Sequence, residues 1–164
     1  MTTSSSFNVL IVCTGNTCRS AMAEGIAKKV AEEKSITNIE FSSAGVGAVD
    51  GYPATEYAIG AAAHWGIDIS NHHSRMITKQ MIENADLILA MAPEHVTQIL
   101  AMDSGAASIV FLYKSFPEPF SPLQGRVEDP IGGTMEQYNQ TFLELDEVMR
   151  RIFPQIAEFA RTHE

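Results

Sequence analysis

The sequence is poor in cysteine, in basic residues and in long apolar runs. Its only cysteines, Cys13 and Cys18, lie too close together to form the disulfide framework of a secreted protein. A net charge of −9 disfavours nucleic acid or an anionic membrane surface as the main partner. No apolar run approaches the roughly 20 residues of a membrane span, and the first residues lack the basic and apolar parts of a signal peptide. We therefore expect a cytoplasmic protein.

Metal-ligand spacing is also lacking, because the five histidines are scattered and both cysteines fall in one short segment. We expect neither a metal nor another cofactor. The length of 164 residues suffices for one domain with a sizeable core. Residues 1–6 are polar and predict a flexible tail, which leaves residues 7–164 as the domain.

The chain is organised around a strand, a short loop and a helix near its N-terminus. An apolar, β-branched run over residues 7–12 ends at Cys13, and apolar residues at helical spacing begin after Ser20. The first N–H groups of a helix lack intrahelical acceptors, and the helix dipole is positive there. The loop between Cys13 and Ser20 is therefore predicted to bind an anion.

Cys13, Arg19 and Ser20 add chemistry to this loop. The helix start and the Arg19 charge are expected to lower the pKa of the Cys13 thiol from about 8.5. The planar guanidinium of Arg19 matches two oxygens of a phosphate, and Ser20 can donate to the sulfur. The pattern predicts a bound phosphoryl group with the sulfur behind the phosphorus, in line for displacement.

Strand and helix patterns alternate along the rest of the chain. The predicted strands are 7–12, 38–43, 86–91 and 108–113. The predicted helices are 20–34, 54–65, 79–84 and 93–101, with an N-cap at Thr78 for the third. A last helix is predicted after a capping box at Thr134–Gln137. Pro154 should kink or divide that last helix. Such alternation predicts an α/β, doubly wound parallel sheet with helices on both faces. Ligands then bind beyond the carboxyl ends of the strands, where Cys13 lies.

The segment Cys13–Ser20, Cys-Thr-Gly-Asn-Thr-Cys-Arg-Ser, resembles the phosphate-binding loop of the low-molecular-weight protein tyrosine phosphatases. The resemblance covers nearly the whole chain and implies a four-stranded sheet of order 2-1-3-4. It implies hydrolysis of phosphorylated protein side chains through a phosphocysteine intermediate, with phosphate as product and inhibitor. The residues that would bind the phosphoryl group beside Cys13 and Arg19 are Thr14, Gly15, Asn16, Thr17, Cys18 and Ser20.

The same resemblance implies roles outside the loop. Asp129, in an Asp-Pro step before the last helix, matches the general acid of the family, although such a step taken alone is a turn. Asn16, Ser43 and His72 match positions that hydrogen-bond one another and hold the loop and Ser20. The alternatives are ordinary loop hydrogen bonds for Asn16 and Ser43, and a surface or hydrogen-bonded core histidine for His72.

Thr17 bears on the substrate. Tyrosine phosphatases of the family tend to have a bulky Ile or Leu there, and aromatic residues after the Asp-Pro. A bacterial branch that acts on phosphoarginine is similar to this chain throughout the loop motif and has Gly-Gly soon after Asp-Pro. That branch tends to have aromatic residues where this chain has Val46, Ala48 and Ile131, and Tyr52 could substitute for them. The motif favours phosphoarginine, with phosphotyrosine close behind.

Other functions fit parts of the pattern. A thiol-dependent phosphocarrier would use Cys13 without needing Arg19 or Asp129, and a phosphopeptide-binding module would need no turnover. An arsenate reductase of the same fold is excluded because no cysteine follows Cys18. Cys18 itself is either a small packing residue or the partner of Cys13 in a disulfide that protects the nucleophile from oxidation.

Overall fold

The computed structural model describes residues 6–163, so the predicted tail over 1–6 lies outside the described residues except for Ser6. The strands are β1 (Phe7–Cys13), β2 (Ile39–Gly45), β3 (Leu87–Ala90) and β4 (Val110–Leu112). They pair in parallel in the order β2-β1-β3-β4. The predicted sheet class and strand order are confirmed.

The helices lie close to their predicted places. They are α1 (Arg19–Glu33), α2 (Glu56–His64), α3 (Lys79–Asn84), α4 (Pro93–Met102) and α5 (Met135–His163), with a 3₁₀ turn over Ser104–Ser108. The Thr78 hydroxyl accepts from the Met81 N–H, as predicted. The capping box is also confirmed, because Thr134 and Gln137 each donate a backbone N–H to the other's side-chain oxygen, at 2.8 and 3.2 Å.

Alternate side chains of β1 enter two different cores. Val9 and Ile11 point to the face covered by α1, α2 and α5, while Leu10 and Val12 point to the face covered by α3 and α4. Burial on both faces explains why the strand is apolar almost throughout. Cys13, the last residue of β1, lies at the carboxyl edge of the sheet.

The sequence predicts that Pro154 kinks or divides the last helix; it does not divide it, because α5 continues through it, and the kink stays a prediction. Pro154 has no N–H to offer the Arg150 carbonyl, which costs the helix one hydrogen bond. Ile152, Phe153 and Ile156 are buried on either side of it. Their packing outweighs the missing bond. Within residues 6–163, no helix is long and apolar enough to cross a membrane.

Candidate active site

The loop between β1 and α1 is held in a tight curve. Asn16 is fully buried with a φ of 57°, a left-handed conformation that asparagine tolerates better than most residues. Gly45, at the end of β2, approaches the loop so closely that a Cβ there would collide with the Thr14 carbonyl oxygen. Among residues 6–163, the N–H groups of Gly15, Thr17 and Cys18 have no hydrogen-bond acceptor. These groups are therefore available to an anion.

The sulfur of Cys13 lies beneath this loop. Ser20 Oγ is 2.9 Å from Cys13 Sγ, and the Asn16 N–H donates to the same sulfur at 3.3 Å. Burial raises the pKa of the Cys13 thiol, while the Ser20 hydrogen bond and the Arg19 charge lower it. Burial dominates, so the predicted net lowering of the thiol pKa is wrong. The sequence revealed the cation and the helix start but not the near-complete burial of the sulfur.

Arg19 and Asp129 meet at the rim of the loop. Arg19 is 5 % exposed and donates through Nη1 to the Val127 carbonyl at 2.9 Å, while its Nη2 lies 3.5 Å from Asp129 Oδ2. The Asp129 side chain is 39 % exposed, and the Ile131 N–H donates to its Oδ1 at 3.1 Å. The loop before α5 therefore brings a carboxylate to the edge of the predicted anion site.

Asn16 is the centre of the supporting hydrogen bonds. Its Nδ2 donates to Ser20 Oγ at 2.7 Å and to Ser43 Oγ at 2.9 Å. His72 Nε2 donates to the backbone carbonyl of Asn16 at 2.6 Å. The structure thus brings all the predicted supporting residues to the loop, with His72 bonded to the main chain of Asn16 rather than to Ser43.

The pocket above the sulfur is small, and the described residues that line it are not aromatic. It is lined by Cys13, Gly15, Asn16, Thr17, Cys18, Arg19, Asp129 and Ile131. Thus no aromatic side chain from residues 6–163 lines it. Tyr52, 58 % exposed, is outside this lining and does not replace an aromatic wall, while Val46 and Ala48 are buried.

Cys18 lines the pocket and also belongs to the core packed against α5. Its sulfur lies 3.3 Å from Tyr138 Oη and 3.5 Å from Thr55 Oγ1, and both cysteines are free thiols. Burial raises the pKa of Tyr138 to about 12, so its hydroxyl keeps its proton at neutral pH. Cys18 is buried in the core, as the packing interpretation expects, and the protective disulfide stays a prediction.

Sequence reasoning missed His95, which contacts the loop from α4. Its ring is fully buried, and Nε2 lies 2.9 Å from Thr14 Oγ1. Burial, followed by the Arg19 charge, lowers the pKa of His95 to about 4, so the ring is neutral at neutral pH. The sequence could have indicated His95 as a site residue, because it follows β3 closely and so lies at the same edge of the sheet as Cys13.

Glu24 was missed as well. Its Oε1 accepts from Ser43 Oγ at 2.5 Å. Glu24 follows Ser20 by four residues, and residues at that spacing share a helix face. The spacing could therefore have connected Glu24 with the loop. No group of three or more His, Cys, Asp or Glu within residues 6–163 could hold a metal ion.

The site as a whole is suited to displacement at phosphorus. It places a sulfur beneath free N–H groups, with a guanidinium to balance oxygen charge and a carboxylate to handle a proton. This combination defines the class as a cysteine-dependent phosphatase.

Comparisons with known proteins agree with this class. The model of the low molecular weight phosphotyrosine protein phosphatase family matches residues 8–162, and the chain belongs to that family. A protein-arginine-phosphatase of Bacillus subtilis is 39% identical over 155 residues, covering 94% of this chain and 99% of the relative. The low molecular weight protein-tyrosine-phosphatase Etp of Escherichia coli is 32% identical over 139 residues, covering 81% and 90%.

A solved structure extends the likeness to the three-dimensional level. It is the arginine phosphatase YwlE, as a mutant with a phosphorylated active-site serine. It superposes with a TM-score of 0.86 at 35% identity, covering 94% of this chain and 99% of that one. Family and fold together make this chain a protein phosphatase.

Proposed function

We propose that this protein removes phosphoryl groups from arginine side chains of proteins through a phosphocysteine intermediate. The observation that carries the proposal is the position of Cys13 Sγ, 2.9 Å from Ser20 Oγ, beneath the free N–H groups of the loop. Arg19 and Asp129 face each other at the rim, 3.5 Å apart. Cys13, Arg19 and Asp129 are the groups needed to form the phosphocysteine and then to hydrolyse it.

In the first half, the Cys13 thiol gives its proton to solvent, helped by the Ser20 hydrogen bond and the Arg19 charge. The thiolate then forms a bond to phosphorus while the phosphorus–nitrogen bond breaks. The electron pair of that bond stays on the guanidino nitrogen, which takes a proton from Asp129. Arg19 and the loop N–H groups balance the charge on the phosphoryl oxygens. The free arginine side chain leaves, and the phosphoryl group stays on sulfur.

In the second half, the Asp129 carboxylate takes a proton from a water molecule whose oxygen attacks phosphorus. The sulfur–phosphorus bond breaks and its electron pair returns to Cys13, where the Ser20 hydrogen bond stabilises it. The product is inorganic phosphate, which fits the same loop and is therefore expected to inhibit. The relative with a phosphorylated active-site serine supports a covalent intermediate at this position.

The pocket walls support phosphoarginine over phosphotyrosine. The small cavity directly above the sulfur has no aromatic residue of the described chain in its lining, and beyond the loop its lining is Asp129 and Ile131. The Thr17 hydroxyl can accept from a guanidinium, and Asp129 can pair with its charge. The 39% identical Bacillus subtilis relative is named a protein-arginine-phosphatase.

The other functions fit less well. A phosphocarrier or a phosphopeptide-binding module has no use for Asp129 beside Arg19. The net charge of −9 supports a protein rather than a nucleic-acid partner. We also propose a cytoplasmic location, as the low cysteine content indicates.

The test is kcat/KM on one peptide synthesised with phosphoarginine and with phosphotyrosine. We expect a preference of about tenfold or more for phosphoarginine, the size of discrimination that pocket contacts supply. Thr17→Ile should reverse the preference, because the bulkier side chain removes the hydroxyl and narrows the pocket. Thr37→Ile is the matched control, since Thr37 is exposed before β2 and lies outside the pocket. A phosphotyrosine preference in the unmutated protein would overturn the substrate assignment.

A further inference from the structure

The side-chain amide of Asn16 has one orientation that its neighbours allow. The Arg75 N–H lies 2.9 Å from Oδ1 of Asn16, and a backbone N–H can only donate. The atom facing Arg75 is therefore the amide oxygen. The amide nitrogen then faces Ser20 and Ser43, and its two protons are both used on the serine oxygens.

The two serine hydroxyls consequently point away from Asn16. Each oxygen accepts from the amide, so each hydroxyl gives its single proton to its other neighbour. Ser43 Oγ is 2.5 Å from Glu24 Oε1, and a carboxylate oxygen can only accept. Ser20 Oγ is 2.9 Å from Cys13 Sγ. The direction of every bond from Glu24 to the sulfur is thus determined.

Glu24 is fixed in place for this contact. Its other oxygen pairs with Lys28 Nζ at 2.6 Å, one turn along α1, which leaves Oε1 facing Ser43. The Glu24 side chain is only 18 % exposed, and Ser43 is buried. Where water is largely excluded, the local dielectric constant is low, and consecutive hydrogen bonds polarise and strengthen one another.

We propose that Glu24 is a positioning residue, which acts through Ser43 and Asn16 to hold the Ser20 hydroxyl as a donor to the Cys13 sulfur. The inference rests on the phosphatase activity of this site. The Ser20 proton stabilises the sulfur as attacking thiolate and as leaving group. Without Glu24, the Ser43 hydroxyl loses its acceptor, and its oxygen holds the Asn16 amide less firmly.

The test compares Glu24→Ala, Glu24→Gln, Ser43→Ala and the Glu24→Ala/Ser43→Ala double variant. The readouts are the kinetics on a phosphopeptide and the pH dependence of Cys13 alkylation by iodoacetamide, located by fragmentation mass spectrometry. Alkylation needs no turnover, so a wrong substrate assignment would leave this readout intact. Glu32→Ala is the matched control, because it removes an exposed carboxylate from the same helix.

We expect Glu24→Ala to move the alkylation midpoint of Cys13 to higher pH and to lower kcat/KM about three- to tenfold, because a polarised bond is weakened rather than lost. Glu24→Gln keeps an acceptor oxygen and should recover most of the loss, while the double variant should match Ser43→Ala. An unshifted midpoint in Glu24→Ala, no recovery with Gln, or additive effects in the double variant would overturn the inference. Should Glu24→Ala not fold, an unshifted midpoint in Ser43→Ala would overturn it equally.

Discussion

Replacing Asp129 by alanine should separate catalysis from stability. The Asp129 carboxylate is 39 % exposed and lies 3.5 Å from the buried Arg19, and water around the carboxylate screens the pair, so we expect its loss to cost about 1 kcal/mol. Arg19 keeps its 2.9 Å bond to the Val127 carbonyl in the variant. In a chain of this size, a loss of about 1 kcal/mol lowers the melting temperature by roughly 2–4 °C.

The kinetic loss should be much larger than the stability loss. A general acid contributes about 10²–10⁴ in rate, which corresponds to roughly 2.7–5.5 kcal/mol of activation free energy. The loss should also depend on the leaving group, because a good leaving group departs without a proton. For kcat/KM, which covers the steps up to the covalent intermediate, phenyl phosphate should suffer more than p-nitrophenyl phosphate.

The assay is kcat/KM on both phenyl esters for the unmutated protein, Asp129→Ala and Glu128→Ala, with thermal unfolding in parallel. Glu128 is the matched control, because it is an exposed neighbouring carboxylate outside the pocket lining. Equal losses on both esters, or a loss below about tenfold on phenyl phosphate, would refute the general-acid role of Asp129.

Two further substitutions test other parts of the account. Ser20→Ala removes a hydrogen bond that lowers the pKa of Cys13, so the pKa of Cys13 should rise. The acidic limb of kcat/KM against pH should then move to higher pH, and an unmoved limb would show that the Ser20 hydroxyl does not stabilise the thiolate. Pro154→Ala supplies the N–H that α5 lacks at an exposed position, and urea unfolding should show a gain of roughly 1–3 kcal/mol; a loss would show that the proline ring contributes to packing.

The nucleophile loop was predictable because its information is local. Cys13, Arg19 and Ser20 lie within one strand–loop–helix unit, whose hydrophobic pattern places them at the carboxyl edge of a parallel sheet. Asp129 is different, because it lies 110 residues beyond Arg19 and reaches the rim only through the folded chain. The sequence connected the two by family resemblance rather than by any pattern of residues.

Burial and contacts between elements account for what the sequence did not reveal. The pKa of Cys13 depends on how much water the surrounding elements exclude, which a local motif does not encode. His95 reaches Thr14 from α4, and only the tertiary fold makes that contact. Pro154 shows the same limit, because the packing of its neighbours overrides its local tendency to end a helix.

The most direct test of the central claim is the site of the covalent intermediate. Unmutated protein is mixed with excess phosphopeptide, quenched in acid within one turnover and digested, and the phosphoryl group is located by fragmentation mass spectrometry. We expect one phosphoryl group on Cys13, formed at least as fast as phosphate is released. Cys13→Ala should carry none at that position and should not turn over. Turnover without phosphorylation of Cys13, or a phosphoryl group on another residue such as His72, would contradict the account.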